Sequence, residues 1–440
     1  MKKIKIYIRS SSHTIKFANS GKLDTYHDFI QEYRKVAQIY INFIWDNEYK
    51  YTDKNDNVRI FNTKNDELDA PSFFDYNLIP IPFETKLSAR SLSSLVTQCC
   101  GAISAATSVR KKLLYKKSKM IENNEHITEK FQTFIDEKIL IKPNALKINP
   151  ELSSKNIDFE ETNGHFNLFI RLKCLGEFDS ICIPIKLHKQ ANKWKNFCKN
   201  SERKGSILLT NRNIQIRWEF EKEIKTKGII VGADQGKLTV LSLSDKQTTT
   251  KCDCHGHSLD SIMKKLSNKE KGKRAFRKAQ DHRKNFINWS LNNLDFNNIQ
   301  RINFEEIRNL RKGKKTNRVM SHFSYPLIER KTNSLCEETG VQFVLQPSAF
   351  RSQRCSECGW VHSSNRNKKA FKCMICGEAL DADINASINH EIELSIMPEW
   401  MMKSGINRTS GFYWKPEGIF TKEGEEYRVP LSNNQEINIL

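Results

Sequence analysis

Two Cys-x-x-Cys-Gly sequences constrain the fold of this chain more than any other feature. Cys355 and Cys358 belong to the first and Cys373 and Cys376 to the second, with fourteen residues between the two pairs. Four thiolates at this spacing can bind one Zn²⁺ ion tetrahedrally, and the glycine after each pair suits a tight turn around a metal. The alternatives are a disulfide pair or four unrelated cysteines, which the regular spacing disfavours. The sequence therefore predicts a zinc ribbon over residues 350–379.

The charge of the chain favours a polyanionic partner. Lys and Arg number 72 against 51 Asp and Glu, which gives a net charge of +21 and a pI of about 9.4. Nucleic acid is the first expectation and an anionic membrane surface the second. A lysine-rich composition typical of AT-rich genomes explains part of this excess but not its clustering. No long apolar run and no signal-peptide pattern occur, so we expect neither a membrane span nor secretion, and the cysteines indicate a reducing compartment.

The N-terminal half changes from strand to helix and back to strand periodicity. Lys3–Arg9 alternates polar and apolar residues like a strand, and apolar residues recur at helical spacing over Thr25–Tyr51 and Ser88–Asn123. Between about His165 and Glu221 the period returns to two. We expect these strands and the first one to close a small barrel, with the helical region inserted between them.

Three acidic residues lie within or at the ends of predicted elements in the C-terminal half. Asp234 interrupts an apolar strand, Glu305 ends another strand, and Asp383 begins a helix directly after the ribbon. A carboxylate in a buried strand is costly unless it is paired or binds a metal, and the alternative for Asp234 is an Asx turn in a hairpin. In an RNase H-like α/β fold these three places converge at one end of the sheet, where carboxylate oxygens suit Mg²⁺ or Mn²⁺. Two such ions about 3.5–4 Å apart can activate a water and stabilise the leaving oxygen of a phosphodiester.

Basic residues cluster in the second long helix, in a predicted helix over Ser258–Trp289 and in a loop after the strand of Glu305. Helices this basic suit contacts with a phosphate backbone, although a solvated helix face is the plain alternative. The expected nucleic-acid-binding residues are Arg110, Lys111, Lys112, Lys264, Lys265, Lys273, Arg274, Arg277, Lys278, Lys314 and Lys315.

Another group of metal-binding residue types lies in the sequence Cys252-Asp-Cys254-His255-Gly-His257. Thiol and imidazole groups are zinc ligands. Their spacing here is too tight for a standard tetrahedral site, so a polar turn is favoured over a second zinc site.

The motifs around these residues resemble those of a known family. GADQG at Asp234, NFEEI at Glu305, SQRCSECG and CMICG in the ribbon and DADINASIN at Asp383 follow one another in a characteristic order and spacing. They are similar to the RuvC-type nuclease core of the transposon-encoded TnpB proteins and of the compact type V CRISPR effectors. The resemblance is specific over residues 228–389, and upstream it depends on architecture alone.

The resemblance implies a multidomain α+β protein. An RNase H-like (RuvC) α/β nuclease core with an inserted zinc ribbon would be preceded by a β-barrel wedge domain that is split by a helical recognition domain. The expected bounds are 1–22 for the first wedge strand, 23–135 for the helical recognition region, 136–226 for the wedge barrel, 227–349 for the RuvC-like core, 350–379 for the ribbon, 380–395 for the last RuvC segment and 396–440 for a tail without an assigned role.

The resemblance also implies a function and its residues. In the family, the acids at the places of Asp234, Glu305 and Asp383 bind the catalytic Mg²⁺ or Mn²⁺ ions, and Glu306 and Asp381 are the second choices in this chain. The implied function is RNA-guided cleavage of double-stranded DNA at one site. Its partners would be a guide RNA, a DNA target beside a short duplex motif and a structural Zn²⁺, with no membrane. The protein would be a monomer or homodimer in the cytoplasm, encoded by a prokaryote or a phage. The alternatives are an RNA-guided DNA-binding protein that does not cut and an RNase H-like transposase.

Overall fold

The computed structural model describes residues 3–46, 84–197, 205–236, 238–307 and 318–427. These residues form two compact units, one of Ile6–Glu221 and the other of Met1–Lys5 with Lys222–Leu440. Helices and strands alternate in both units. The chain is therefore a multidomain protein of mixed α and β structure, as predicted.

The first unit combines helices with two small antiparallel sheets. Its helices are α1 (Ser20–Asp46), α2 (Ala89–Glu122), α3 (Glu129–Leu140) and α4 (Lys189–Phe197). Its strands are β1 (Ile4–Thr14), β2 (Glu151–Leu152), β3 (Ile157–Glu161), β4 (Leu168–Leu172), β5 (Ile181–Ile185), β6 (Ile207–Leu209) and β7 (Asn213–Glu223). One sheet has the order β1-β7-β6-β2 and the other β3-β4-β5. The first strand pairs with a late one, as expected, but the described strands lie in two sheets, so a single closed barrel stays a prediction.

The two long helices form because each has one apolar face and, for α2, a capping side chain. The apolar residues predicted for the first helix, from Phe29 to Ile44, are all buried on one face of α1. Ser88 begins α2 by accepting a hydrogen bond from the backbone N–H of Ser91. By length and composition α2 could also span a membrane, which the sequence did not lead us to expect. Leu95, Val96 and other apolar side chains of this helix are buried in the core of the unit, and core helices of soluble proteins pass the same test.

The second unit is built on a four-stranded sheet with the order β11-β10-β8-β9. These strands are β8 (Ile229–Gln235), β9 (Leu241–Leu243), β10 (Ile299–Glu306) and β11 (Gln342–Pro347). β10 is parallel to both β8 and β11, whereas β9 is antiparallel to β8. Helices α5 (Leu259–Ser267), α6 (Arg274–Asn292) and α7 (Tyr325–Thr339) connect them. Apolar residues of β8 and β10, including Val231 and Phe304, pack with Phe286 of α6 and Ile328 of α7 into one core.

Two details of this unit differ from the sequence predictions. A single helix over Ser258–Trp289 is wrong, because α5 ends at Ser267 and α6 begins at Arg274. Gly272 lies between them with a positive φ of 89°, which a continuing α-helix does not allow. The apolar run Val341–Leu345 predicts a short buried strand, but β11 is an edge strand whose side chains are half-buried or exposed.

Two further small sheets surround the cysteines. One consists of β13 (Arg366–Asn367), β14 (Ala370–Lys372) and β15 (Ala379–Asp381), and the chain continues from it into helix α8 (Ala382–Glu391). The other consists of β12 (Trp360–Val361), β16 (Phe412–Lys415) and β17 (Gly418–Phe420), with the short helix α9 (Glu399–Ser404) before its last two strands. The C-terminal segment, which had no assigned role, therefore completes a sheet that begins within the ribbon.

Candidate active site and metal centre

Two parallel strands bring Asp234 and Glu305 together. Asp234 is next to last in β8 and Glu305 is next to last in β10, so both lie where their strands end at the same edge of the sheet. Ligand atoms of Asp234, Glu305 and His390 all lie within 4.8 Å of one another. The backbone N–H of Gln235 donates a hydrogen bond to Oε2 of Glu305 at 3.3 Å. Among the described residues, no hydrogen bond to the carboxylate of Asp234 is found, which leaves its oxygens available to a cation.

Glu306, the second choice beside Glu305, follows it directly at the end of β10. Successive side chains of a strand point to opposite faces, so the side chain of Glu306 is directed away from the face that Glu305 occupies. Glu305 is therefore the better placed of the two to meet Asp234.

Helix α8 lies directly on β8, and Gly232 makes this possible. A Cβ added to Gly232 would lie 1.9 Å from the carbonyl oxygen of Ser387 and 2.3 Å from the backbone nitrogen of Glu391. No side chain fits in that space, so the close approach of helix and strand requires glycine. This contact places the residues of α8 beside the carboxylate of Asp234.

His390 is the residue of this cluster that the sequence analysis missed. It lies two helical turns after Asp383 on α8, is buried, and its Nδ1 has no hydrogen-bond partner among the described residues. Burial, and then the positive charge of Arg351, lower the pKa of His390 to about 3, so its imidazole is neutral at physiological pH. Its spacing of seven from Asp383 puts both residues on the same helix face, which is a signal the sequence does contain.

Asp383 lies at the start of α8 and is held by two cations of the four-cysteine segment. Its buried carboxylate pairs with Arg366 at 3.2 Å and with Lys369. It does not belong to the cluster of Asp234, Glu305 and His390, although its Oδ2 lies 3.5 Å from the point where a Cβ of Gly236 would be. Of the three carboxylates that were predicted to converge, Asp234 and Glu305 lie together. Asp383 lies near them but is ion-paired with Arg366 and Lys369.

Asp381 has a different position from Asp383. Its Oδ1 accepts hydrogen bonds from the backbone N–H groups of Asp383, at 2.9 Å, and Ile384, at 3.3 Å. This is the geometry of a helix N-cap, which satisfies backbone groups that have no partner inside the helix. Asp381 therefore orients the first turn of α8, and Asp383 remains the better candidate ligand.

The two clustered carboxylates hold their protons more tightly than ordinary acids. Burial and then the negative charge of Glu305 raise the pKa of Asp234 well above its usual value, against the opposing charges of Arg366 and Lys369. Burial raises the pKa of Glu305 to about 7, while the N–H of Gln235 and the charge of Arg366 act to lower it. Two buried acids this close favour a bound cation, because a cation offsets the cost of ionising both.

A basic cavity lies beside Asp383. Its volume is about 360 Å³ and its walls combine cations, aromatic rings and the backbone after β8. The lining residues are Gln235, Gly236, Leu238, Met320, Phe323, Tyr325, Arg366, Lys368, Lys369 and Asp383. Positive charge next to aromatic faces suits a phosphate backbone with adjoining bases.

The four predicted cysteines meet at one point. Sγ of Cys355 lies 3.6 Å from Sγ of Cys376, and Sγ of Cys358 lies 3.6 Å from Sγ of Cys373. Zn–S bonds of about 2.3 Å in a tetrahedron place neighbouring sulfurs about 3.8 Å apart. A disulfide needs about 2.05 Å, so both disulfide pairings are excluded for these contacts. The donor set and its spacing fit a structural Zn²⁺ ion.

Both knuckles use the glycine as predicted. Gly359 and Gly377 have φ angles of 83° and 81°, and each donates its N–H to the carbonyl of the first cysteine of its pair. These left-handed turns bring the second cysteine of each pair back towards the first.

A buried polar network that the sequence analysis missed joins the ribbon to α8. Side-chain amides of Asn385 and Asn389, one turn apart, both donate to the carbonyl of Arg354, at 2.9 and 2.7 Å. The guanidinium of Arg354 donates back to Oδ1 of Asn389 and, at 2.7 Å, to the carbonyl of Trp414 in the C-terminal segment. The four-cysteine segment, α8 and the C-terminal segment are thereby linked by hydrogen bonds.

The predicted nucleic-acid-binding residues are exposed wherever the structure describes them, apart from Arg110. Arg110 is half-buried against the ring of Trp45. The exposed residues are Lys111, Lys112, Lys264, Lys265, Lys273, Arg274, Arg277 and Lys278. Lys314 and Lys315 lie outside the described residues.

Sequence comparison connects this site to known proteins. Residues 327–390 match the family model described as "Cas12f1-like, TNB domain". This stretch begins in α7 and covers the four cysteines, Asp383 and His390. The predicted resemblance to the TnpB and type V CRISPR effector family is confirmed.

Two curated relatives of this family match the chain over part of their length. The "CRISPR-associated endodeoxyribonuclease Cas12f1" of Sulfoacidibacillus thermotolerans is 30% identical over 135 residues, which are 30% of this chain and 31% of that protein. The "TnpB-like protein aq_aa05" of Aquifex aeolicus is 31% identical over 100 residues, 21% of this chain and 33% of that protein. The matched region is thus about a third of the length of each relative.

Solved structures of type V effectors are also similar to this chain. The match to the structure of a Cas12f1–sgRNA–target DNA complex covers 88% of this chain and 99% of the matched chain, with 14% identity and a TM-score of 0.41. The mini-RNA-guided endonuclease CRISPR-Cas_phi3 covers 87% of this chain and 92% of its own, with 9% identity and a TM-score of 0.45.

Proposed function

We propose that this chain is an RNA-guided DNA endonuclease that hydrolyses both strands of its target at one site formed by Asp234, Glu305 and Asp383. The observation that carries this proposal is the meeting of two buried carboxylates at the ends of parallel strands, beside the ion-paired Asp383 and a basic cavity. The printed name of the Cas12f1 relative describes it as an endodeoxyribonuclease. The region that matches this chain is about a third of that relative's length.

The donor atoms of the site fit a hard divalent cation. Asp234 and Glu305 offer carboxylate oxygens, and His390 offers an imidazole nitrogen within the same 4.8 Å. Two nearby buried atoms, Oε1 of Gln235 and Nδ1 of His390, have no hydrogen-bond partner among the described residues, so the site has unused polar capacity. Oxygen-rich sites of this kind favour Mg²⁺ or Mn²⁺. Bound there, such ions supply an activated water and charge stabilisation for the leaving oxygen.

The protein's own groups have distinct tasks in this proposal. Asp234 and Glu305 would hold the cation at the sheet edge, and the N–H of Gln235 fixes the orientation of the Glu305 carboxylate. Arg366 and Lys369 are placed to leave Asp383 and contact a phosphate that enters the cavity, since both line it. Phe323 and Tyr325 add aromatic rings to the lining of the same cavity.

We also propose a domain architecture for this chain. The sheet of β8–β11 with α8 corresponds to an RNase H-like RuvC core, the four-cysteine segment to a zinc ribbon inserted in it, and the strands of the first unit to a wedge domain split by helices. The domain bounds expected from the sequence remain our proposal for these parts.

The proposed partners are guide RNA and target DNA, the two nucleic acids present in the solved Cas12f1 complex. The exposed basic residues of α2, α5 and α6 are proposed to contact their phosphate backbones. The proposed location is the cytoplasm of a prokaryotic cell.

The test separates cleavage from binding. The protein is purified with its native RNA, the RNA is sequenced to define the DNA target, and cleavage of that target is measured with Mg²⁺. Asp234→Ala and Glu305→Ala should abolish cleavage, while RNA and DNA binding stay close to wild type. Glu306→Ala is the matched control, because this neighbour points away from the site, and it should keep its activity.

Two results would contradict the proposal. Undiminished cleavage by Asp234→Ala would remove the carboxylate pair from the mechanism. A wild-type protein that binds its RNA and DNA target without cutting it would support the alternative of a guided binding protein.

A further inference from the structure

A third group of metal-binding side chains lies in the second unit, outside the carboxylate and cysteine sites. Asp253 and His257 belong to the loop between β9 and α5, and His282 lies in α6. Their ligand atoms are all within 4.8 Å of one another. The sequence had offered the cysteines and histidines of residues 252–257 for such a site, and the fold selects a different set.

The distances within this group match a tetrahedral metal site. Oδ2 of Asp253 lies 3.0 Å from Nε2 of His282 and 3.5 Å from Nδ1 of His257. Ligand bonds of about 2.0–2.1 Å in a tetrahedron place neighbouring ligand atoms about 3.3 Å apart. The two observed distances lie on either side of this value, so an ion fits with small movements of the side chains.

The loop is folded so that one oxygen of Asp253 faces the two rings. Oδ1 accepts hydrogen bonds from the backbone N–H groups of His255 and His257, both at 2.9 Å. The N–H of Asp253 donates to the carbonyl of His257 at 3.0 Å, and the turn passes through Gly256 with a φ of 78°. These bonds occupy Oδ1 and the backbone, which leaves Oδ2 for the histidines. The carboxylate is thus positioned before any ion binds.

The group is open to solvent on one side. The side chains of Asp253, His282 and His257 are 15%, 30% and 47% exposed. An ion can therefore enter from solution, and a water can take the fourth position. Two imidazole nitrogens and one carboxylate oxygen are the ligands of zinc sites with an open position, whereas Mg²⁺ prefers oxygen alone.

We propose that Asp253, His257 and His282 bind one Zn²⁺ ion that ties the loop after β9 to helix α6. His282 lies one turn after Lys278 on this helix, whose first turns present Arg274, Arg277 and Lys278 to solvent. The ion cross-links the basic helix to the sheet strand before the loop and fixes the position of these cations. The site is independent of the proposed nuclease function, because it shares no residue with it.

The experiment measures zinc per chain in protein purified without a polyhistidine tag. Each protein, the wild-type reference included, carries Asp234→Ala and Glu305→Ala so that the carboxylate site binds no zinc. It is equilibrated with excess Zn²⁺, separated from free metal and analysed by plasma mass spectrometry. Wild type should hold two zinc ions, and His257→Ala and His282→Gln should each hold one. Glutamine at position 282 keeps a hydrogen-bond donor for Asp253, so it preserves a purely hydrogen-bonded cluster while removing the ligand. His255→Ala is the matched control, since His255 is a neighbouring histidine outside the group, and it should hold two.

The cysteines provide the second reference. The double variant Cys355→Ser with Cys373→Ser should lose the ribbon zinc and retain one ion. Adding His282→Gln to this variant should remove that remaining ion. Cobalt loading distinguishes the two sites, because thiolate ligands give charge-transfer absorption that the histidine–carboxylate site lacks. A wild-type protein with one zinc ion, lost on cysteine substitution alone, overturns the proposal. So does a His282→Gln protein that still holds two.

Discussion

Replacing Lys369 by methionine should tighten the binding of a divalent metal at the carboxylates. Lys369 forms an ion pair with the buried carboxylate of Asp383 and acts electrostatically on Asp234. A metal ion that uses Asp383 must displace or weaken this ion pair. Methionine has a similar length and no charge, so it removes the competing cation and keeps most of the packing.

The size of the effect follows from the ion pair. A hydrogen bond to a charged group contributes about 1.5–3 kcal/mol. Lys369 is 38% exposed, so screening by solvent puts this pair at the lower end of that range. Removal of a competitor worth about 1.5 kcal/mol strengthens metal binding about tenfold. Arg366 remains paired with Asp383 at 3.2 Å, so the carboxylate keeps one positive partner in the variant.

The assay is Mn²⁺ binding, measured by the loss of the free-ion paramagnetic resonance signal in protein without nucleic acid. Lys368→Met is the matched control, because Lys368 is an exposed lysine that also lines the cavity. We expect the dissociation constant to fall about tenfold for Lys369→Met and to change little for the control. An unchanged or weaker affinity in Lys369→Met would refute the competition. An equal gain in Mn²⁺ affinity in both variants would show that the loss of positive charge in the cavity, and not the loss of the Lys369–Asp383 ion pair, strengthens binding.

Two other predictions concern stability. Gly232→Ala should destabilise the second unit by at least about 1–3 kcal/mol in denaturant unfolding, because the new methyl group overlaps the backbone of α8. Gly101→Ala is the control, because its added carbon meets nothing within 4 Å, and it should cost no stability. Glu305→Gln should reduce the pH dependence of stability in the metal-free protein. Folding raises the pKa of Glu305 from 4.5 to about 7, so between these values the folded protein keeps a proton that the unfolded chain releases, and stability falls as pH rises. The fall amounts to at most about 3 kcal/mol, and an equally steep fall in Glu305→Gln would exclude this carboxyl as its source.

The parts of this protein that local pattern determines were predicted from sequence. The cysteine spacing fixes a four-sulfur cluster, and the apolar runs around Asp234 and Glu305 predicted the two strands that carry these acids. The apolar period of the first long helix predicted its buried face.

Contacts between distant segments were not predictable in this way. The ion pairs of Asp383 join residues of different elements, and His282 of helix α6 reaches Asp253 in the loop after β9. The pairing of β12 with β16 joins residues about fifty positions apart with no periodic signal in common. Such contacts depend on how elements pack, and packing is not encoded in a local period.

The position of α8 against Gly232 has a consequence for protein synthesis. A ribosome makes β8 and β10 long before it makes α8, and the strands that complete the sheet around Trp360 come later still. Until that helix has emerged, the groove at Gly232 is unfilled and Asp234 has neither His390 nor Asp383 beside it. We therefore expect nascent chains, and products of premature termination before α8, to be unable to cut DNA. The order of translation would thus keep the proposed nuclease site incomplete until α8 has been made.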